Sequence, residues 1–152
     1  MMPVQAIPDG YATVIPYLVV RNAAGAMEFY KTVFGATEVL RLTDDQGRVN
    51  HAEMRVGKGM LMLAEESKDH PGPQTVGACP ITLMLYVEDV DRTFAAAVDA
   101  GGTVKRPLAD QFYGDRGGAL ADPFGYTWWL ATHKEDVSEA EMQKRMNALS
   151  AG

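Results

Sequence analysis

One cysteine, three histidines and no surplus of positive charge mark this sequence of 152 residues. The lone Cys79 cannot close an internal disulfide, so the fold has to rest on a packed core, as suits a reducing cytoplasm. With 20 acidic and 14 basic side chains the formal charge is -6. That argues against nucleic acid and anionic membrane surfaces as partners, because both attract basic faces. No apolar run approaches the ~20 residues needed to cross a bilayer. The first ten residues lack the basic stretch and apolar block of a secretory signal. A cytoplasmic location is therefore expected. Also missing are the Gly-x-Ser-x-Gly elbow, the Walker loop and the dinucleotide Gly-x-Gly-x-x-Gly fingerprint. What remains is a globular composition, 47% apolar and 22% charged, sufficient for one domain or two small repeated units.

A repeat is present. Ile15-Pro16-Tyr17-Leu18-Val19-Val20, then Asn22, then a helical stretch to Gly35-Ala36-Thr37, matches Thr82-Leu83-Met84-Leu85-Tyr86-Val87, then Asp89, then a helical stretch to Gly101-Gly102-Thr103. The offset is 67 at the strands and 66 after the helices, which makes the second helix one residue shorter. Asn22 and Asp89 are N-caps, and Gly35 and Gly101 suit the left-handed residue that stops a helix. Ala23, Met27, Tyr30 and Phe34 form one apolar stripe, and Val90, Phe94, Ala97 and Val98 the other.

Three strands are expected after each helix: about Thr37–Thr43, Val49–Val56 and Met60–Ala64, then about Thr103–Ala109, Tyr113–Ala121 and Tyr126–Thr132. Asp122-Pro123-Phe124-Gly125 is a turn, with Pro second and Gly fourth. The fold class is α+β, with tandem βαβββ units and a C-terminal helix. Residues 1–10 form an extension, 11–66 the first module, 67–78 a Pro- and Gly-rich linker, 79–133 the second module and 134–152 the closing helix. Ser138 and Glu141 have the spacing of a capping box, with Val137 and Met142 as its hydrophobic staple. The stripe Met142, Met146 and Leu149 is expected to dock on the chain's own sheet or on a partner subunit.

The tandem units resemble the vicinal oxygen chelate superfamily, also called the glyoxalase/bleomycin-resistance/dioxygenase fold, over about residues 11–133. The resemblance is nearest to the PhnB-like branch. It rests on Pro16-Tyr17-Leu18-Val19-Val20, on Ala26-Met27-Glu28-Phe29-Tyr30-Lys31 with Phe34-Gly35-Ala36, and on His51-Ala52-Glu53-Met54. In the second unit it rests on Tyr113-Gly114-Asp115-Arg116 and on Asp122-Pro123-Phe124-Gly125-Tyr126, followed by Trp129-Leu130-Ala131-Thr132-His133. The resemblance implies curved mixed sheets around a cavity, and homodimers.

Enzymes of the superfamily hold a divalent metal at four side-chain positions, on the first and last strand of each unit. Those positions fall here at Ile15, Met62 (or Leu63), Thr82 and Trp129. They offer no good donor to a hard metal. No cofactor is expected. The alternative is a divalent metal at His51-x-Glu53, whose side chains share one face of a strand, but no third ligand stands out. The same pair could serve instead as a catalytic acid and base.

Strand alternation points Thr13, Ile15, Tyr17, Val19, Met60, Met62, Thr82, Met84, Tyr86, Thr127 and Trp129 to the concave side. Of these, Tyr17, Met62, Met84, Tyr86 and Trp129 are the expected ligand-binding residues, with Tyr113 and Arg116 as an arm over the mouth. Arg116 has a second reading, in which it makes ion pairs that fix a strand edge. Aromatic rings and thioethers with few polar groups suit a small, partly aromatic molecule, held for sequestration, resistance or sensing. The alternative function is a glyoxalase- or dioxygenase-like enzyme with a relocated metal or a His51/Glu53 acid–base pair.

Overall fold

The computed structural model describes residues 3–151, which divide into two compact units between Ala78 and Cys79. The first unit runs β1 (Tyr17–Val20), α1 (Ala23–Phe34), β2 (Thr37–Thr43), β3 (Val49–Val56), β4 (Gly59–Glu65) and a short α2 (Pro73–Val76). The second runs β5 (Thr82–Tyr86), α3 (Val90–Asp99), β6 (Thr103–Asp110), β7 (Asp115–Ala121), β8 (Thr127–His133) and α4 (Glu139–Ser150). Each unit has one four-stranded mixed sheet, ordered β1-β4-β3-β2 and β5-β8-β7-β6. The first and last strands of each unit pair in parallel, and the other neighbours are antiparallel.

Local chemistry sets the helix ends. Asn22 adopts a left-handed φ of 61°, and its side chain accepts from Gly25 N. A Cβ at Gly25 would meet that side chain at 2.4 Å, so the glycine makes room for the cap. The Glu65 carboxylate accepts from the Asn22 and Ala23 amides, placing negative charge at the helix N-terminus. Gly35 ends α1 with φ 70°, as expected. In the second unit Asp89 caps α3 through Arg92 N, but Ala100 is the C-cap and the left-handed Gly101 follows it. The helix is 10 residues against 12, a larger difference than the repeat offsets gave.

The stripe of α1 is buried throughout, and Val90, Phe94 and Ala97 are buried in α3. Val98 is 38% exposed. At about 100° per residue it sits roughly 80° round from Val90, at the margin of the stripe. Leu18, Val20, Ala52, Met54 and Leu63 of the first sheet, and Leu120, Trp128 and Leu130 of the second, complete the two cores.

Several boundaries moved. β1 begins at Tyr17 rather than Ile15, since Pro16 has no N–H and only its carbonyl joins the ladder, to Met62 N. β7 begins at Asp115 rather than Tyr113. Gly114, with φ 102°, closes a turn to the Gln111 carbonyl first. The expected linker is structured. Glu66 accepts from Gly72 N and the Thr75 hydroxyl, and Arg21 bonds both Glu66 and Thr75. These bonds hold α2 against the ends of β1 and β4. Ser138 caps α4 through Glu141 N, but no residue of α4 is buried, and Met146 and Leu149 stand exposed. The helix is tied instead by Arg145, which donates to Glu135, Glu141 and the Phe112 carbonyl.

Candidate functional site

The first sheet turns Leu18, Ala52, Met54 and Leu63 towards the core, so the alternate residues point the other way. Register places Tyr17 beside Met62, and Met62 beside Glu53. His51, two residues before Glu53, shares their face. The four expected site residues of this unit are therefore brought together. The Tyr17 hydroxyl lies 2.9 Å from His51 Nδ1, and His51 Nε2 lies 2.8 Å from Glu53 Oε2. The Tyr17 and His51 rings stack at 5.6 Å.

One partner was not read from the sequence. The Tyr11 hydroxyl donates to Glu53 Oε1. Both carboxylate oxygens of the buried Glu53 are thus occupied. Hydrogen bonds from Tyr11 and then His51 hold its carboxyl below the usual carboxylate range. An ionised carboxylate only accepts, so His51 Nε2–H donates to it, and in the neutral imidazole that leaves Nδ1 as the acceptor facing the Tyr17 hydroxyl. Burial, and then the charge of Glu53, push the Tyr17 phenol up, which keeps it a donor.

The second unit carries a comparable cluster. Asp115 and His133 are cross-strand partners. Asp115, which is buried, accepts from the Tyr86 hydroxyl at 2.7 Å and faces His133 Nδ1 at 2.7 Å. His133 Nε2 lies 2.7 Å from Asp136 Oδ1. His133 is the last residue of β8. Its side chain is half exposed, yet both its nitrogens meet carboxylates. Asp115 first and Asp136 second push its pKa up.

A raised imidazole pKa stabilises the fold fully below the unfolded value of about 6.5, and that stabilisation fades as pH rises through the folded value. The melting temperature should therefore carry a component that falls on going from about pH 6.5 upward, and His133→Gln should lack it. Thermal melts of both proteins across that range test this, and parallel profiles would refute it.

In the same sheet Trp129 is flanked by Met84 and Ala119, and Tyr86 pairs with Ala131, itself opposite Gly117. Small neighbours let the indole lie down on the sheet. A Cβ at Gly117 would meet Trp129 Nε1 at 2.8 Å. Met84 and Tyr86 are at least half exposed. An open cavity of about 380 Å³ is lined by Asp110, Gln111, Gly114, Asp115, Lys134 and Glu135. Tyr113 lies in the turn before β7, edge-on to Phe112 at 5.2 Å, where burial and then the charge of Asp115 push its phenol up. One expected residue stands apart. Arg116 follows Asp115 and so points to the opposite face. There it pairs with Asp91 of α3 and Asp110 of β6, which matches the ion-pair reading.

The four positions at which the resemblance implies a metal carry Ile15, Met62, Thr82 and Trp129, side chains that are poor donors to a hard cation. Ile15 precedes β1, Thr82 pairs with Thr127, Met62 lies between Tyr17 and Glu53, and Trp129 beside Met84. Among the described residues no three His, Cys, Asp or Glu side chains converge as a metal site. No helix among them is long and apolar enough to cross a membrane.

Comparison with known proteins agrees with this architecture. The uncharacterised protein Rv0887c of Mycobacterium tuberculosis is 38% identical over 142 residues, covering 90% of this chain and 84% of that protein. The crystal structure of PA1353 from Pseudomonas aeruginosa superposes with a TM-score of 0.70 at 25% identity, covering 82% of this chain and 99% of that one. A PhnB protein from Bacillus cereus shares the fold, with a TM-score of 0.63 at 21% identity, covering 80% of this chain and 99% of that one. Residues 10–130 match the Glyoxalase/Bleomycin resistance protein/Dioxygenase superfamily, and the chain belongs to it.

Proposed function

We propose that this protein binds a small, partly aromatic molecule by ring stacking and hydrogen bonding, without a metal, for sequestration, resistance or sensing. The observation that supports this is that each sheet carries large side chains on the face turned away from its own core. In the first unit Tyr17 is 46% exposed; in the second Met84 and Tyr86 are 50% and 58% exposed, and Trp129 lies beside Met84. Large apolar groups cost free energy in water, and on a rigid sheet they form a ready stacking surface. A cytoplasmic homodimer belongs to the same reading.

The acid–base alternative finds less support. A carboxyl held low is a weak base, and both oxygens of Glu53 are already engaged. A relocated metal at His51 and Glu53 would need a third ligand.

Titration with a panel of aromatic compounds, read by calorimetry for every variant and by tryptophan fluorescence where Trp129 is present, tests the proposal. Trp129→Ala should weaken binding by about 1–3 kcal/mol if the indole is an anchor. Trp128 is buried and hydrogen-bonded to Asp122, so it serves as the internal reference. Unchanged affinity would remove Trp129 from the site. Elemental analysis of protein purified without a metal-affinity tag supplies the second arm. A stoichiometric divalent ion lost on His51→Ala would overturn the metal-free reading.

A further inference from the structure

We propose that Glu53 and His51 form a binding site for a phenol, and that Tyr11 of the chain's own N-terminal arm occupies it as a built-in surrogate. This names the ligand chemistry of the first unit and rests on the binding function proposed above.

The chemistry of the acceptor defines the guest. Glu53 is 6% exposed, one carboxylate oxygen is taken by His51, and the other receives the Tyr11 hydroxyl. An ionised carboxylate accepts and never donates. A group that replaces Tyr11 at Oε1 must bring a donor, which selects a hydroxyl over a ketone, an ether or a carboxylate. The Tyr17 ring stacked on His51, with Met62 in register between Tyr17 and Glu53, supplies the apolar wall for a ring. Tyr11 itself demonstrates that a para-substituted phenol reaches the acceptor.

The arm is built to leave. Residues 3–16 form no helix or strand. Its apolar side chains contribute little burial, with Val4 98%, Ile7 50% and Val14 84% exposed. Among the described residues the arm meets the sheet through Tyr11 to Glu53 and Arg55 Nη1 to the Gly10 carbonyl at 3.0 Å, and, where it runs into β1, through Met62 N to the Pro16 carbonyl. A turn closed by Tyr11 N on the Pro8 carbonyl, with Gly10 at φ 80°, presents the phenol. A segment held by few contacts opens at low cost, so a free phenol competes with Tyr11 for one acceptor.

The test measures 4-methylphenol binding to the full chain by calorimetry, with the His51 imidazole resonances locating the site by NMR. Tyr11→Ala removes the competitor and should tighten binding at least tenfold, the scale of one hydrogen bond to a charged group. 4-Methylanisole, which lacks the donor, should not bind to that variant, and adding Glu53→Gln to it should abolish the tenfold gain. If Tyr11→Ala does not fold, Tyr11→Phe keeps the ring and loses the hydroxyl, and a smaller tightening in the same direction is expected. Equal affinity in native and variant proteins would show that Tyr11 is no surrogate. Equal binding of phenol and ether would overturn the hydroxyl requirement while leaving ring stacking intact. The Trp129 titration reads the second unit, so the two readings fail separately.

Discussion

Gly114→Ala should lower the unfolding free energy by about 3–5 kcal/mol and dismantle the polar cluster of the second unit. Gly114 has φ 102°, where a side chain is strained, and a Cβ there would meet the Glu135 carbonyl oxygen at 2.2 Å. No rotamer relieves that clash, because the backbone fixes the Cβ position and the carbonyl is itself backbone. The Gly114 carbonyl accepts from Lys134 N at 2.8 Å and Glu135 N at 3.0 Å. These bonds join the turn before β7 to the segment after β8. Strain and two weakened hydrogen bonds together give the stated magnitude. The chain after β8 would shift, carrying Asp136 away from His133 and opening the cavity walls at Lys134 and Glu135. Urea denaturation should show a lower midpoint with an unchanged slope. The His133 titration should return towards its ordinary value. A midpoint within experimental error of the native protein would contradict the geometry.

Asp122→Ala is expected to cost about 3–4 kcal/mol. Asp122 is 5% exposed and accepts from Phe124 N, Tyr126 N and Trp128 Nε1 at 2.9, 3.0 and 2.9 Å. The first two bonds set the turn that starts β8, and the third seats Trp128 in the core. Trp128 and Trp129 are neighbours on β8, so fixing one ring towards the core fixes the other on the opposite face. The substitution should therefore lower stability and weaken aromatic ligand binding together. Asp122→Asn retains one acceptor oxygen and should recover part of both. Denaturant melts and the fluorescence titration, run on the same samples, separate the effects. A stable variant with native ligand affinity would show that the turn does not control Trp129.

Much of this fold was legible because its signals are local. The strands at Thr37–Thr43 and Val49–Val56 fall at the expected bounds. Asn22, Asp89 and Ser138 cap the helices predicted to follow them. Two-residue alternation also placed His51 and Glu53 on one face, and parallel pairing of β1 with β4 put Tyr17 and Met62 beside them. The misses share a cause. Tyr11 reaches Glu53 across 42 positions of sequence, from an arm with no periodic pattern. Asp115 meets His133 across 18, and only the antiparallel register makes them opposite. Glu66 organises the stretch after β4 through side-chain bonds that composition does not announce.

The sequence by itself determined the repeated βαβββ order, the caps, the turns and the face on which each strand residue lies. These follow from backbone geometry and from the burial of apolar periods, which act over a few residues at a time. Only the tertiary structure decided which polar groups meet. It joined Tyr11 to Glu53, put His133 between two carboxylates, turned Arg116 towards Asp91 and left α4 without a buried residue. Hydrogen bonds and ion pairs act over about 3 Å, so they depend on where distant segments come to rest, and spacing along the chain does not encode that.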